Sequence, residues 1–229
     1  MPIDRRTALV AGIGASAIAA LPSASTAQPA GATPAFAPQP LPFDPAAVPG
    51  LSAKLLTSHH DNNYVGAVKR LGSIRGEFAK LDLATAPGFA INGLKREELI
   101  AWNSMILHEI YFSGLGTPSR PGMPLARAIE RDFGSMARWQ TEFAGMGKAL
   151  GGGSGWVMLT WSSHDRRLVN TWAADHTMTL AGGTPILVLD MYEHAYAMDF
   201  GAKAAAYVDA VMAATDWTAA DKRFARVVG

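Results

Sequence analysis

The 229-residue sequence predicts an α+β fold: an N-terminal antiparallel helical hairpin, then a C-terminal domain with a three-stranded antiparallel sheet and helices. Three observations carry this. Apolar residues recur near the 3.6-residue helical period on both sides of Pro87-Gly88; Gly151-Gly152-Gly153 divides that material from the rest; and three short β-prone runs follow the glycines.

Between Gln28 and Gly50 lie seven of the 14 prolines, so residues 28–50 read as an extended, non-helical tether. Leu55, Leu56, Val65, Val68, Leu71, Ile74 and Phe78 then define an amphipathic helix over 52–80. A second helix covers 95–112, after the Asn92-Gly93 break, and ends at Ser113-Gly114. These two form the hairpin of an N-terminal domain at 51–118, and 119–229 is the C-terminal α/β domain. A third helix is expected over 125–143. The runs 156–161 and 168–172 flank Ser162-Ser163-His164-Asp165 as a β-hairpin, and Pro185 to Leu189 is a buried strand, too short for a helix. Two helices close the chain.

Composition excludes several classes of function. Lys and Arg number 20 against 19 acidic residues, so the basic footprint of a nucleic-acid binder is missing. With no cysteine, disulfide scaffolds, iron–sulfur clusters and thiol nucleophiles are ruled out, and a metal must be held by His, Asp or Glu. Arg5-Arg6, the apolar run from Thr7 to Leu21 and the small residues Ser25-Thr26-Ala27 read as a twin-arginine export signal over 1–27. The run is shorter than the roughly 20 residues of a membrane-spanning helix. An exported, periplasmic chain without a membrane anchor is therefore expected, and its mature form has no formal net charge.

The chemistry gathers at few positions. His108 lies among Ile106, Leu107 and Ile110, so its imidazole faces inward and needs a partner, either a hydrogen bond or a metal. His108-Glu109 opens the zinc-protease string H-E-x-x-H, but Phe112 stands where the second histidine belongs. Ser154 lacks the closing glycine of a nucleophile elbow. Asp190 and His194 stand four apart directly behind a buried strand, where a metal would compensate them. Imidazole and carboxylate ligands suit iron or manganese as well as zinc.

From about Leu41 to Phe224 the chain resembles the iron/manganese superoxide dismutase family. Asp190-Met191-Tyr192-Glu193-His194-Ala195-Tyr196 is similar to the family's D-x-W-E-H-A-Y. Leu51-Ser52-Ala53 followed by His59 resembles the segment of its first histidine ligand, and Leu107 to Phe112 that of its second. Arg131 to Ser135, Gly153 to Trp156, Asp216-Trp217 and Arg223-Phe224 also resemble family signatures. The resemblance implies one iron or manganese ion per subunit, with iron favoured, held by His59, His108, Asp190 and His194. The implied reaction turns superoxide into dioxygen and hydrogen peroxide. It further implies His176 as the outer-shell group in place of a glutamine (Ser104 occupies the other usual position), Trp156 as a pocket wall, and Glu193 as a bridge across a homodimer. Read without gaps, Asn63 and Ala67 replace the family's second-sphere His and gateway Tyr, Tyr192 replaces a Trp, and Ala197 a Tyr. A rebuilt gateway in which Tyr192 supplies the hydroxyl follows, Tyr64 lying on another face of an α-helix from His59. Two other readings remain at this level, a metal-binding or sensing protein on the same fold and a peroxidase-like iron enzyme.

Overall fold

The computed structural model describes residues 36–229. The export signal at 1–27 and the first part of the tether lie outside the described residues. Residues 36–50 do not hang free. Phe36, Leu41 and Phe43 pack on the core, Val48 is buried, and Pro45–Ala47 is a 3-10 turn capped by the Asp44 carboxylate, which accepts from the Ala46 N–H at 2.9 Å. The prolines exclude α-helix, as expected, but apolar side chains between them have surface to cover, and the turn corrects the wholly extended reading.

Ser52 caps the first helix by accepting the Leu55 N–H at 3.0 Å. Helix α1 (Ala53–Ser58) and α2 (Val65–Ala79) flank a π-helical turn, His59–Tyr64. The helical stretch expected over 52–80 is present but is not α throughout, because the Val65 N–H bonds to the His60 carbonyl, an i→i+5 step. Helix α3 (Gly88–Ser113) begins seven residues earlier than expected, directly after Pro87. It runs through Gly93, whose cost of about 1 kcal/mol relative to alanine a helix packed along α2 absorbs. The two helices are antiparallel. Tyr64, just before α2, bonds to Glu109 near the end of α3, whereas Arg70 and Arg75 further along α2 reach back to Glu97 and Glu98 nearer its start.

The helix expected over 125–143 is two helices, α4 (Met123–Phe133) and α5 (Met136–Ala149). Gly134 between them takes φ +88, which ends α4, and Ser135 starts α5 by accepting the Arg138 N–H at 3.1 Å. Strands β1 (Trp156–Ser162), β2 (Arg167–Ala173) and β3 (Gly183–Asp190) form an antiparallel sheet in the order β2-β1-β3. Every residue of central β1 is buried. Pro185, which has no N–H to give, is tolerated because β3 is an edge strand. The register shifts beside it, and Arg223 Nε donates to the Ile186 carbonyl at 2.9 Å. The chain closes with a 3-10 turn (Glu193–Ala195), α6 (Ala197–Phe200), α7 (Ala204–Ala213) and α8 (Thr218–Val228), so two short turns precede the two expected helices. One core of buried side chains runs from Val48 through Leu71, Leu107 and Leu159 to Phe224, shared by the hairpin and sheet halves.

Two backbone details fix the Asp190 end of the sheet. Trp156 pairs directly with Asp190, which sets the first residue of β1 beside the last of β3. Gly155 just before it has φ +143, and a Cβ there would stand 2.1 Å from the Ala173 carbonyl oxygen. Gly155→Ala is therefore expected to lower the unfolding free energy by about 3 kcal/mol or more in urea titration. Gly153→Ala, whose Cβ meets nothing nearer than 3.5 Å, serves as its control and should stay within about 1 kcal/mol.

Candidate metal centre

Four elements deliver four side chains to one point. His59 comes from the π turn, His108 from α3, Asp190 from the end of β3 and His194 from the following 3-10 turn. His59, His108 and Asp190 are buried, and His194 is partly exposed. Asp190 Oδ2 stands 3.1 Å from His59 Nε2, 3.3 Å from His194 Nε2 and 3.5 Å from His108 Nε2. All four ligand atoms lie within 4.8 Å of one another. Two atoms each about 2.1 Å from a common ion stand at most about 4.2 Å apart. The carboxylate distances already meet that limit, and shifts of a few tenths of an ångström bring in the rest.

The surroundings orient these groups as ligands. His108 Nδ1 donates to the Ser104 carbonyl at 2.6 Å, which leaves Nε2 bare toward Asp190. The other oxygen of Asp190 accepts the Tyr192 N–H at 2.8 Å. Its backbone carbonyl accepts the Tyr207 hydroxyl at 2.7 Å, and that hydroxyl pairs with the Tyr111 hydroxyl at 3.1 Å. Burial raises the pKa of both tyrosines, so they stay neutral donors. Trp156, fully buried, stands perpendicular to His108 with ring centres 5.2 Å apart.

The electrostatics favour a cation. Burial alone would raise the pKa of Asp190, but His194 and His59 more than offset it and hold the carboxyl well below the usual range. Burial lowers His59, against the pull of Asp190, and pushes His108 down to about 3. At neutral pH His59 and His108 are thus neutral beside an ionised Asp190, the protonation state that metal binding requires. His108 Nε2 and His194 Nε2 are buried without a hydrogen-bond partner among the described residues, although both face a carboxylate oxygen. An unpaired buried acceptor costs about 1–3 kcal/mol. An ion bound at their meeting point removes that cost at both nitrogens, so the residues fit a metal.

The remaining predicted positions divide. Half-buried His176 accepts the Trp156 Nε1–H on Nδ1 at 3.0 Å, and its ring lies 6.3 Å from that of His108. Tyr192 is stacked between His176, at 4.8 Å, and His194, at 5.3 Å. Burial raises its hydroxyl to about 12, with the nearby Asp190 and Asp175 charges adding to the effect. Glu193 is exposed. Asn63, half-buried, makes no hydrogen bond to the four ligands among the described residues. The π turn breaks the α-helical spacing that sets Tyr64 on another face from His59. Tyr64 nevertheless turns away, its hydroxyl donating to Glu109 at 2.9 Å. Sequence reasoning missed Tyr111, Tyr207 and Glu109 as supports, since a core tyrosine carries no local signal of its hydroxyl's partner.

Known proteins bear on the same residues. The chain is 64% identical over 190 residues to the "Superoxide dismutase [Fe]" of Cupriavidus metallidurans, covering 83% of this chain and 96% of that one. This chain belongs to the iron/manganese superoxide dismutase family. "Superoxide dismutase [Mn] 1" of Halobacterium salinarum is 32% identical over 189 residues, covering 81% of this chain and 92% of its own. "Superoxide dismutase [Fe]" of Aquifex pyrophilus is 30% identical over 193 residues, with 80% and 89% covered. The family's C-terminal domain matches residues 121–223, which contain Asp190 and His194. The two remaining ligands lie outside that match, and geometry is what joins them to it.

The lowered histidines make metal-free stability depend on pH. Unfolded, each titrates near 6.5, whereas folded His108 does so near 3. Between those values the unfolded chain takes up a proton that the folded chain refuses, so stability falls as the pH falls from about 6.5. In urea titrations of the metal-free protein between about pH 6 and pH 4, His108→Leu should flatten the slope by about 1.4 kcal/mol per pH unit.

Proposed function

We infer that the protein is a superoxide dismutase with one iron or manganese ion per subunit, iron favoured, held by His59, His108, Asp190 and His194. The convergence of three imidazoles on one buried carboxylate is the observation that carries this reading. When bound, such a metal supplies one-electron chemistry, oxidising one superoxide to dioxygen and reducing the next, which leaves with two protons as hydrogen peroxide.

The chain's own residues bind, orient and supply protons. Asp190 neutralises part of the ion's charge and is fixed by the Tyr192 N–H, while the Ser104 carbonyl selects the ligating tautomer of His108. Trp156 walls the pocket and, by donating to Nδ1 of His176, places that residue's proton on Nε2. At its distance from His108, His176 acts through a solvent molecule rather than as a ligand. Tyr192, protonated across the working range and partly exposed, is the hydroxyl donor of the gateway, a role that Asn63 and Ala67 leave open.

The finer parts of the reading rest on single features. Exposed Glu193 beside partly exposed His194 supports a homodimer in which the carboxylate reaches the partner's site, and a single-chain mass in sedimentation equilibrium would refute it. Arg5-Arg6 and the apolar run after them support export to the periplasm; a chain retaining Met1 in the periplasmic fraction would refute cleavage there. No helix among the described residues is long and apolar enough to cross a membrane.

Stopped-flow decay of superoxide by the mature chain, loaded separately with iron and manganese, tests the activity. Fast decay with one metal is expected, falling at least about 1,000-fold in Asp190→Ala. Metal-loaded protein without decay would leave only a metal-binding role. Tyr192→Phe should bind metal normally yet lose about tenfold or more in rate, and an unchanged rate would remove Tyr192 from the gateway.

A further inference from the structure

Among the ligands, His59 alone has a ring nitrogen that is buried and unbonded on the side away from Asp190: its Nδ1 has no hydrogen-bond partner among the described residues. Its ring is confined by packing, with His194 at 4.7 Å, His108 and Phe112 at 5.0 Å and Tyr111 at 5.2 Å. With no hydrogen bond on Nδ1 from a supporting residue, the direction of the imidazole depends on that packing and on the backbone that carries it. That backbone is the π turn, a rare arrangement found mostly as a single turn within α-helices.

The structure shows what holds it. The Gln39 peptide meets the turn with both of its polar groups. Its N–H donates to the Tyr64 hydroxyl at 2.8 Å and its carbonyl accepts from His60 Nε2 at 2.8 Å. The Tyr64 hydroxyl passes its own proton to Glu109 at 2.9 Å, which ties the far end of the turn to α3 one residue after His108. The Asn62 side chain donates to the Ser58 carbonyl at 2.9 Å, satisfying backbone that the widened turn disturbs. Gln39, His60, Tyr64 and Glu109 line a cavity of about 220 Å³ with Phe112, and the Phe112 ring is also a wall of the metal site.

We propose that Gln39, His60, Tyr64 and Glu109 form a clamp that fixes the π turn and so aims His59 at the metal, making them positioning residues for a ligand they do not touch. The arm before residue 44 is then part of the metal centre. The proposal rests on the metal reading above, but it is judged by differences from the unsubstituted chain, whose own metal uptake tests that reading separately.

The experiment uses the mature chain loaded with iron(III), recording its high-spin electron paramagnetic resonance spectrum, the rate of iron release to a chelator, and the thermal midpoint. Tyr64→Phe keeps the ring and removes the hydroxyl. His60→Ala removes the donor to Gln39, and His60→Gln restores an N–H near the same place. Tyr64→Phe and His60→Ala should each change the rhombicity of the spectrum and speed iron release about tenfold, with His60→Gln returning both toward the parent. Parent-like spectra and release rates in Tyr64→Phe and His60→Ala would overturn the proposal, including where the thermal midpoint falls, because that pattern marks a purely structural role. Should one variant fail to fold, the other decides.

Discussion

The structure turns on a carboxylate that water does not reach. Asp190 is fully buried at the end of β3, yet it is held ionised, and an isolated ion in such a place would cost several kcal/mol even after relaxation. Three imidazoles within 3.5 Å of one of its oxygens offset part of that cost. They cannot offset all of it, because burial keeps His59 and His108 neutral. A cation at the meeting point completes the balance, and the fold reads as the means of holding four groups in register for it.

Each half of the fold contributes what the other lacks. The antiparallel hairpin brings His59 and His108 together from positions far apart in sequence, with their rings 5.0 Å apart. The sheet supplies a rigid edge, where the Trp156 to Asp190 register sets the pocket wall against the carboxylate. The Tyr207 and Tyr111 hydroxyls then anchor the Asp190 backbone to α7 and α3. Because one core spans both halves, a distortion in either is felt at the ligands.

Much of this is legible in the sequence, for physical reasons. Apolar periodicity displayed the hairpin helices because each buries one face, and the three strands lie within two residues of where composition put them. All four ligands were named from their residue types and a resemblance to known enzymes, and the geometry brings them together. What escaped was chemistry with no local signature. Gly134-Ser135 splits a helix only because the glycine takes positive φ, and the same two residues inside a longer helix would look no different. The π turn is invisible to a 3.6-residue period, which is the spacing that sets Tyr64 on another face from His59. The arm before residue 44 looked like a tether because proline dominates it, although its one peptide at Gln39 meets the turn that carries a ligand.

X-ray absorption at the iron edge of the loaded chain tests the central claim most directly, since it reports the ligands around the ion itself. The account predicts a nitrogen and oxygen shell near 2.1 Å with the outer-shell scattering of three imidazoles, reduced by one in His59→Ala. A spectrum with no imidazole scattering, or one indifferent to that substitution, would place the metal elsewhere and contradict it.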